Sequence, residues 1–214
     1  MGSKLVIVRH GNTFLPGQIP TRVGGRTDLP LVETHRASSA GKYLKEHGIM
    51  PDRFFSAPLK RTRETARVIM DELKNNSVLN EAEMFREIDY GPDENKTEEE
   101  VLLRLGSGVI EDGRKIIDKW NESAIVPDGW IVNVEGIIGS WKKFADEIPE
   151  GSTTLLCTSN GIIRFAPHIL DIDFSEFTSA NDLKVATGSI SMFEKKDGIW
   201  KCILWNEKPY KIYK

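Results

Sequence analysis

The sequence predicts an α/β protein, a three-layer α/β/α sandwich with a mostly parallel central sheet. Two short apolar runs, at residues 4–9 and 153–159, are typical of buried strands. Between and around them, strand-like and helix-like segments alternate, which favours parallel pairing with helices on both faces of the sheet. The 214 residues, 39% hydrophobic and 29% charged, suit one domain spanning 1–214.

The first half of the chain supplies two strand–helix units. A long loop without periodicity follows the first strand from Gly11 to Pro30, and loops of this length in compact domains are usually functional. Apolar residues at helical spacing then predict a helix that runs to about His47 and is stopped by Gly48. A strand over 52–56 and a helix with Pro58 at its first position come next.

The second half is predicted to begin with a helical insertion over the active site, at about residues 88–130. Thr97 and Glu100 form a capping box that starts a helix continuing past a Gly-Ser-Gly weak point, 106–108, towards Trp120. The remaining predicted elements are a helix over 137–148, a strand over 153–159, a helix from Asn160, and strands over 187–193 and 200–205 joined by a turn at 195–198.

Composition excludes several function classes. A net charge of −3 gives no general attraction to nucleic acid or to an anionic membrane, so phosphate binding has to be local. The apolar runs are too short to cross a bilayer and no signal-peptide pattern is present, so we expect a cytoplasmic protein. Cys157 and Cys202 are expected to be buried free thiols, and the histidine spacing implies no metal. No cofactor is expected, and the sequence is silent on oligomeric state.

The end of the first strand carries the most informative motif, Arg9-His10-Gly11. A strand that stops at a glycine brings the preceding side chains to the carboxyl edge of the sheet. Open α/β folds bind their ligands at this edge. His10 is therefore a candidate nucleophile.

Four sequence blocks together resemble the histidine phosphatase superfamily, the group that includes the cofactor-dependent phosphoglycerate mutases. The resemblance covers most of the chain, and its specificity comes from the order and spacing of the blocks. The blocks are Arg9-His10-Gly11-Asn12-Thr13, Gly25-Arg26-Thr-Asp28-Leu-Pro30-Leu31, Ser56-Ala-Pro-Leu-Lys-Arg61-Thr-Arg-Glu-Thr65-Ala66 and Glu87-Ile-Asp89-Tyr-Gly91.

The resemblance implies attack of a histidine nitrogen on a phosphoryl group, with His10 as the nucleophile. Two guanidinium groups, Arg9 and Arg61, are expected to bind the phosphate and to oppose protonation of the imidazole. The start of the helix that carries Arg61 is expected to favour the anion as well. The implied phosphate-binding residues are Arg9, Asn12, Thr13, Arg61, Asn160 and Gly161.

Glu87 matches the proton donor of the family, with Asp89 as the second candidate. A carboxylic acid donates a proton near neutral pH only if its pKa is raised by burial. We therefore expect Glu87 to lie in a partly desolvated pocket, away from the arginines.

The chain departs from the family at Asn160, where the family has a second histidine. The amide of asparagine still donates a hydrogen bond to a phosphoryl oxygen, but it carries no charge. Loss of one preorganised charged donor costs about 2.7–4 kcal/mol of transition-state stabilisation, or a hundred- to thousand-fold in rate.

Three functions remain open from the sequence. The leading one is a phosphatase acting on a small phosphomonoester through phospho-His10, with turnover reduced by Asn160. The second is a mutase, which needs more basic charge over the site than the acidic turn 93–96 provides. The third is a phosphate-ligand-binding protein that has lost turnover, because Arg9 and Arg61 are retained.

Overall fold

A six-stranded sheet lies at the centre of the computed structural model, which describes residues 2–213. The strands are β1 (Ser3–Arg9), β2 (Arg53–Ser56), β3 (Leu79–Glu81), β4 (Thr153–Thr158), β5 (Ile190–Lys196) and β6 (Ile199–Glu207). The helices are α1 (His35–Glu46), α2 (Lys60–Glu72), α3 (Glu98–Leu105), α4 (Ile110–Ser123), α5 (Val134–Asp146), α6 (Asn160–Ile163) and α7 (Phe174–Ala180). Short 3₁₀ turns connect several of them.

The sheet has the order β3-β2-β4-β1-β5-β6 and is mostly parallel, as predicted. Strands β1 to β4 pair in parallel, β5 pairs antiparallel with β1, and β6 pairs antiparallel with β5. Only β5 therefore opposes the common direction. The β5–β6 hairpin turns at Asp197 and Gly198, both with positive φ (52° and 81°), as tight hairpin turns require.

Two apolar cores lie on opposite faces of the sheet, and the alternation along β1 separates them. Leu5 and Ile7 belong to the core beneath α5, whereas Val6 and Val8 belong to the core beneath α1 and α2. Trp141 of α5 is fully buried in the first core. This arrangement confirms the three-layer α/β/α prediction.

Helix α2 begins two residues later than predicted. Leu59 is extended (φ −85°, ψ 146°), and the carboxylate of Asp28 accepts a hydrogen bond from the Lys60 amide at 2.6 Å. Asp28 thus caps α2 from the long loop. The expectation that this helix start attracts the phosphate needs correction, because Asp28 already occupies the Lys60 amide.

The predicted long helix after Thr97 is two helices. The capping box of Thr97 and Glu100 is present, but the chain turns at Ser107 and Gly108, which have positive φ (50° and 92°). Helix α3 therefore ends at Leu105 and α4 begins at Ile110. Two shorter helices pack against each other where one was predicted.

Both cysteines are free thiols, as predicted, and the late strands lie close to their predicted ranges. Cys157 is a buried free thiol, and Cys202 is free but only partly buried. Strand β5 begins at Ile190, so Thr187 lies in the preceding loop. Within residues 2–213, no helix combines the length and the apolar character that a membrane span needs.

Candidate active site

A cavity of about 930 Å³ opens where β1 and β4 end. Its walls come from the long loop after β1, from the segment around Glu87, from α4, from the start of α6 and from the loop before β5. The lining includes most of the predicted site residues: Arg9, His10, Asn12, Thr13, Glu87, Asn160 and Gly161. Arg61 is fully buried and does not line the cavity.

His10 is buried at the end of β1, with 6% of its surface exposed. Its Nδ1 lies 2.7 Å from the carbonyl oxygen of Gly11, which assigns the proton to Nδ1 and leaves the lone pair on Nε2. Burial, and then the charges of Arg61 and Arg9, hold the pKa of His10 well below its usual value. The imidazole is therefore neutral at physiological pH, as a nucleophile requires.

Arg9 directs its guanidinium at the loop before β5. Its Nη1 donates a hydrogen bond to the carbonyl of Val185, and its buried Nε has no acceptor among the described residues. Burial lowers the pKa of Arg9, and the carboxyl of Glu87 partly offsets this effect. The side chain keeps its charge, since arginine remains protonated in proteins.

Arg61, the second residue of α2, is held by backbone carbonyls of the long loop. Its Nη1 donates to the carbonyl of Thr27 at 2.8 Å, and its Nη2 lies 3.3 Å from the carbonyls of Val23 and Gly24. The guanidinium is close enough to lower the pKa of His10, although Arg61 is fully buried and does not line the cavity. In this arrangement Arg61 supplies charge to the site, with its Nη groups bound to the loop.

Glu94 holds the same loop from the other side. Its carboxylate accepts hydrogen bonds from the amides of Gly24 (3.1 Å) and Tyr90 (3.3 Å) and from the hydroxyl of Thr27. A Cβ at Gly24 would lie 2.0 Å from Glu94 Oε1, so only glycine allows this approach. Glu94 thereby fixes the peptides whose carbonyls bind Arg61.

Glu87 is buried beside the cavity, with 6% of its surface exposed. Its carboxylate accepts hydrogen bonds from the amides of Ile88 (2.9 Å) and Gly161 (3.2 Å). Burial raises the pKa of Glu87, as predicted, but Arg61 and Arg9 are near enough to lower it in part. The expectation that Glu87 lies away from the arginines is therefore wrong.

Asp89, the second candidate for the proton donor, lies outside the cavity. Its carboxylate accepts from Arg26 Nε at 2.9 Å and from the Gly91 amide at 2.7 Å. It does not line the cavity, unlike Glu87. The geometry thus favours Glu87 for proton transfer.

Asn160, the first residue of α6, lines the cavity with a half-buried amide. Its Oδ1 accepts a hydrogen bond from the Val185 amide at 2.9 Å, which fixes the side chain. The neighbouring amide of Gly161 donates to Glu87, and a Cβ at Gly161 would lie 2.3 Å from Glu87 Oε1. The Gly161 amide, predicted to bind phosphate, is thus engaged by the carboxylate.

Asn12 and Thr13 line the cavity as predicted. Asn12 Oδ1 accepts a hydrogen bond from the hydroxyl of Thr187 at 2.6 Å, and Arg36 Nη1 donates to the same hydroxyl at 2.8 Å. The long loop is therefore tied to the loop before β5, which lies beside the end of β1 because the Gly188 amide donates to the carbonyl of Arg9 at 2.9 Å.

Sequence reasoning assigned no individual role to several cavity residues, among them Tyr90, Arg164 and Lys184. Burial raises the pKa of the Tyr90 hydroxyl, so it stays protonated and able to donate a hydrogen bond. The position of Arg164, four residues after Asn160, places both side chains on one side of a helical turn and was readable from the sequence. Lys184 lies in a segment without a pattern, so no signal pointed to it.

Comparison with known proteins gives a consistent result. The family model of the histidine phosphatase superfamily (branch 1) matches residues 5–208. A 2,3-bisphosphoglycerate-dependent phosphoglycerate mutase of Parvibaculum lavamentivorans is 24% identical over 92% of each chain. The uncharacterized phosphatase PhoE of Bacillus subtilis is 35% identical over 105 residues, but the match spans only 48% of this chain and 51% of that protein.

Solved structures share the fold. A mycobacterial glucosyl-3-phosphoglycerate phosphatase superposes with a TM-score of 0.75 at 18% identity, covering 97% of this chain and 100% of that one. A phosphoglycerate mutase of Bacillus anthracis gives a TM-score of 0.76 at 22% identity, covering 98% and 95%. At such identities the likeness establishes the fold and leaves the reaction to be argued from the site.

Proposed function

Because the chain belongs to the histidine phosphatase superfamily, we propose that it is a phosphatase that hydrolyses a small phosphomonoester through a phosphohistidine at His10. The observation that carries this proposal is the neutral, buried His10 with its proton on Nδ1, beside two guanidinium groups and a carboxyl group of raised pKa. These are the nucleophile, the charge and the acid that phosphoryl transfer needs.

In the proposed first step, His10 Nε2 attacks phosphorus and the bond from phosphorus to the ester oxygen breaks. Protonated Glu87 gives its proton to the leaving oxygen, which departs as an alcohol. The charges of Arg9 and Arg61 stabilise the transferring phosphoryl group. The Asn160 amide contributes a neutral hydrogen bond, so this step is slower than with a charged donor.

In the proposed second step, the ionised Glu87 removes a proton from water, and the water oxygen attacks phosphorus. The bond between phosphorus and Nε2 breaks, inorganic phosphate leaves, and His10 and protonated Glu87 are restored. The same carboxyl group thus serves as acid and then as base. In this proposal the reaction takes place in the cytoplasm and uses no metal ion or cofactor.

Hydrolysis is favoured over mutase activity by the residues that the segment 88–130 presents to the cavity. A mutase has to retain a bisphosphorylated intermediate, which calls for basic side chains above the site. The segment, which we propose acts as a cap within a single domain, adds no lysine or arginine to the cavity lining, whose cations come from other parts of the chain. Its lining residues are Tyr90, Glu98, Ile117, Trp120 and Asn121.

The acidic turn 93–96, which the sequence suggested as evidence against a mutase, does not line the cavity. Asp93 is buried, and its carboxylate pairs with Arg104 at 2.6 Å and accepts from Trp130 Nε1 at 2.7 Å. Glu94 binds the long loop. Neither carboxylate lines the cavity, so the turn leaves the charge above the phosphate unchanged.

The test is rapid quenching with a labelled phosphomonoester, combined with measurement of phosphate release. We expect an acid-labile, base-stable phosphoprotein that disappears in a folded His10→Asn variant and persists in His47→Asn, a matched change at an exposed histidine outside the cavity. Label on a serine would contradict the proposal. Phosphate binding without label or release would favour the alternative of a binding protein.

A further inference from the structure

Arg164 is a buried cation that the proposed reaction does not use. It follows α6 directly, four residues after Asn160, and lines the same cavity with only 3% of its surface exposed. Buried arginines normally satisfy their donors within the protein or with a ligand. The question is therefore which donors of Arg164 are used.

The protein anchors Arg164 through one nitrogen only. Nη2 donates to the carbonyls of Trp120 (2.8 Å) and Asn121 (2.7 Å) in the last turns of α4, and the guanidinium lies 4.3 Å from the centre of the Trp120 ring. Nε is buried without an acceptor, and Nη1 donates to no residue within 2–213. The side chain is thus held rigidly with an unused donor group.

Lys184 is a second cation on the same cavity, next to the Val185 peptide that binds Asn160 and Arg9. Within the described chain, no carboxylate lies within 4 Å of the charged nitrogens of Lys184 or Arg164. The cavity's own carboxylates are engaged elsewhere. Glu98 pairs with Arg22 at 2.7 Å, and Glu87 accepts from two amides. Glu33 accepts from the Arg36 amide at 3.2 Å through Oε2, while its Oε1 is buried without a donor among the described residues.

The cavity also has room beyond the phosphate. Its volume of about 930 Å³ is typical of pockets that enclose a complete small molecule. Ile117 and Trp120 give it an apolar wall beside Arg164. A substrate whose phosphate lies at His10 therefore extends past this wall.

We infer that Arg164 and Lys184 form a second anion subsite, which binds a carboxylate of the phosphomonoester whose phosphate lies at His10. The assignment rests on the proposed function for the position of the phosphate. Nη1 of Arg164 and Nζ of Lys184 are two cationic donors on one cavity, and a carboxylate offers two acceptor oxygens to them. The substrate class is thus an ω-carboxylated phosphomonoester, and a second phosphate is the alternative that the experiment separates.

The experiment compares ω-carboxyalkyl phosphates of two to six carbons with the corresponding carboxamides and with alkyl bisphosphates. The carboxamide has the shape of the carboxylate without its charge. At the best chain length, we expect kcat/KM to be about tenfold or more higher for the carboxylate, in line with one charge-assisted hydrogen bond. The preference is expected to weaken with added salt, because Lys184 is exposed.

Three variants test the assignment. Arg164→Gln is expected to bring the preference close to one, and Lys184→Gln, an exposed change that spares the fold, is expected to reduce it several-fold. Lys142→Gln, an exposed lysine of α5 outside the cavity, is expected to leave it unchanged. A role of Arg164 in folding alone would lower the rates for both esters equally, so the ratio is the decisive readout.

Binding of the matching non-hydrolysable phosphonates, measured by calorimetry, separates this inference from the proposed function. Absence of phosphate release from every ester contradicts the proposed function, whereas the binding preference still tests the subsite. Equal binding of carboxylate and carboxamide at every length overturns the subsite. A preference that survives in both Arg164→Gln and Lys184→Gln also overturns the subsite. Stronger binding of the bisphosphonates would assign the subsite to a second phosphate of the substrate instead of a carboxylate.

Discussion

The two sides of the candidate site are built differently. On the Arg61 side, formed by residues 23–31 and the start of α2, a fully buried guanidinium is bound by three backbone carbonyls. On the Asn160 side, formed by the start of α6 and residues 184–187, a half-buried amide makes one hydrogen bond, to the Val185 peptide. Arg61 supplies a fixed charge and Asn160 a neutral dipole.

The difference shows what a charge in such a site requires. Arg61 is kept in place by loop carbonyls that Glu94 and the helix cap Asp28 position in turn, so its charge needs no rearrangement during the reaction. Asn160 is neutral and only half-buried, so it costs less to bury than a charged side chain, and one backbone amide fixes it. The site thus retains its electrostatic preorganisation on one side.

Glu87 lies between the two sides, and its removal is expected to have the largest effect. With an alkyl phosphate, Glu87→Gln is expected to lower kcat by about 10²–10⁴-fold, the usual contribution of a general acid. With p-nitrophenyl phosphate, whose leaving group needs no proton, the loss is expected to be smaller. Equal losses with both esters would contradict the role of Glu87 as the acid.

The pH profile follows from the directions of the two pKa shifts. His10, with its lowered pKa, is neutral until the pH falls through that pKa, so the acid limb belongs to His10. Glu87, with its raised pKa, loses its proton as the pH rises through that pKa, so the alkaline limb belongs to Glu87. Glu87→Gln is therefore expected to remove the alkaline limb and leave the acid limb.

Arg61→Gln is expected to have the next largest effect, a loss of about 10²–10³-fold in kcat, as for removal of one preorganised donor. Because the Arg61 charge lowers the pKa of both His10 and Glu87, both limbs of the pH profile are expected to move to higher pH. Arg63→Gln is the matched control, since Arg63 lies on the same helix in an exposed pair with Glu81. An equal loss in both variants would point to instability of α2.

Much of this arrangement was predictable, and the reason differs from one residue to the next. His10 and Arg9 were found because a buried apolar strand and the following glycine fix their place at the sheet edge. The sequence predicts only a weak point at the break between α3 and α4. Ser107 adopts a left-handed conformation there, which is uncommon for residues other than glycine and is not predicted from the residue type.

Contacts across long sequence separations were not predictable from one sequence. Asp28 caps a helix that begins 32 residues later, and Glu94 binds Gly24 across 70 residues. Both appear in the sequence as ordinary acidic loop residues. Their roles depend on how the loop packs on the segment 87–94, which local patterns do not encode.

Asn160→His tests the weaker side directly. An imidazole whose Nδ1 accepts from the Val185 amide directs Nε2–H towards the phosphoryl group, and it becomes charged only if Nδ1 gives up that amide to take a proton. We expect kcat for an aryl phosphate to rise about tenfold, less than the full value of a preorganised charged donor. Asn160→Ala is the control and is expected to be slower than the unchanged chain. A slower Asn160→His variant with an intact phosphohistidine would show that this side needs no charge.

Glu94→Gln is expected to have the smallest effect, a several-fold loss of kcat, because it acts on Arg61 only through the loop. The glutamine amide keeps one acceptor oxygen, so its NH2 group would face either the Gly24 peptide or the Tyr90 peptide, each of which is itself a donor. Loss of such a charge-assisted hydrogen bond costs about 1.5–3 kcal/mol of free energy of unfolding. A loosened Arg61 no longer lowers the pKa of His10 fully, so the acid limb is expected to shift to higher pH, as for Arg61→Gln.

The measurements are the pH profile and chemical denaturation, with Glu83→Gln, at an exposed pair with Arg86, as the control. A loss of stability with an unchanged acid limb would limit Glu94 to the fold of the loop.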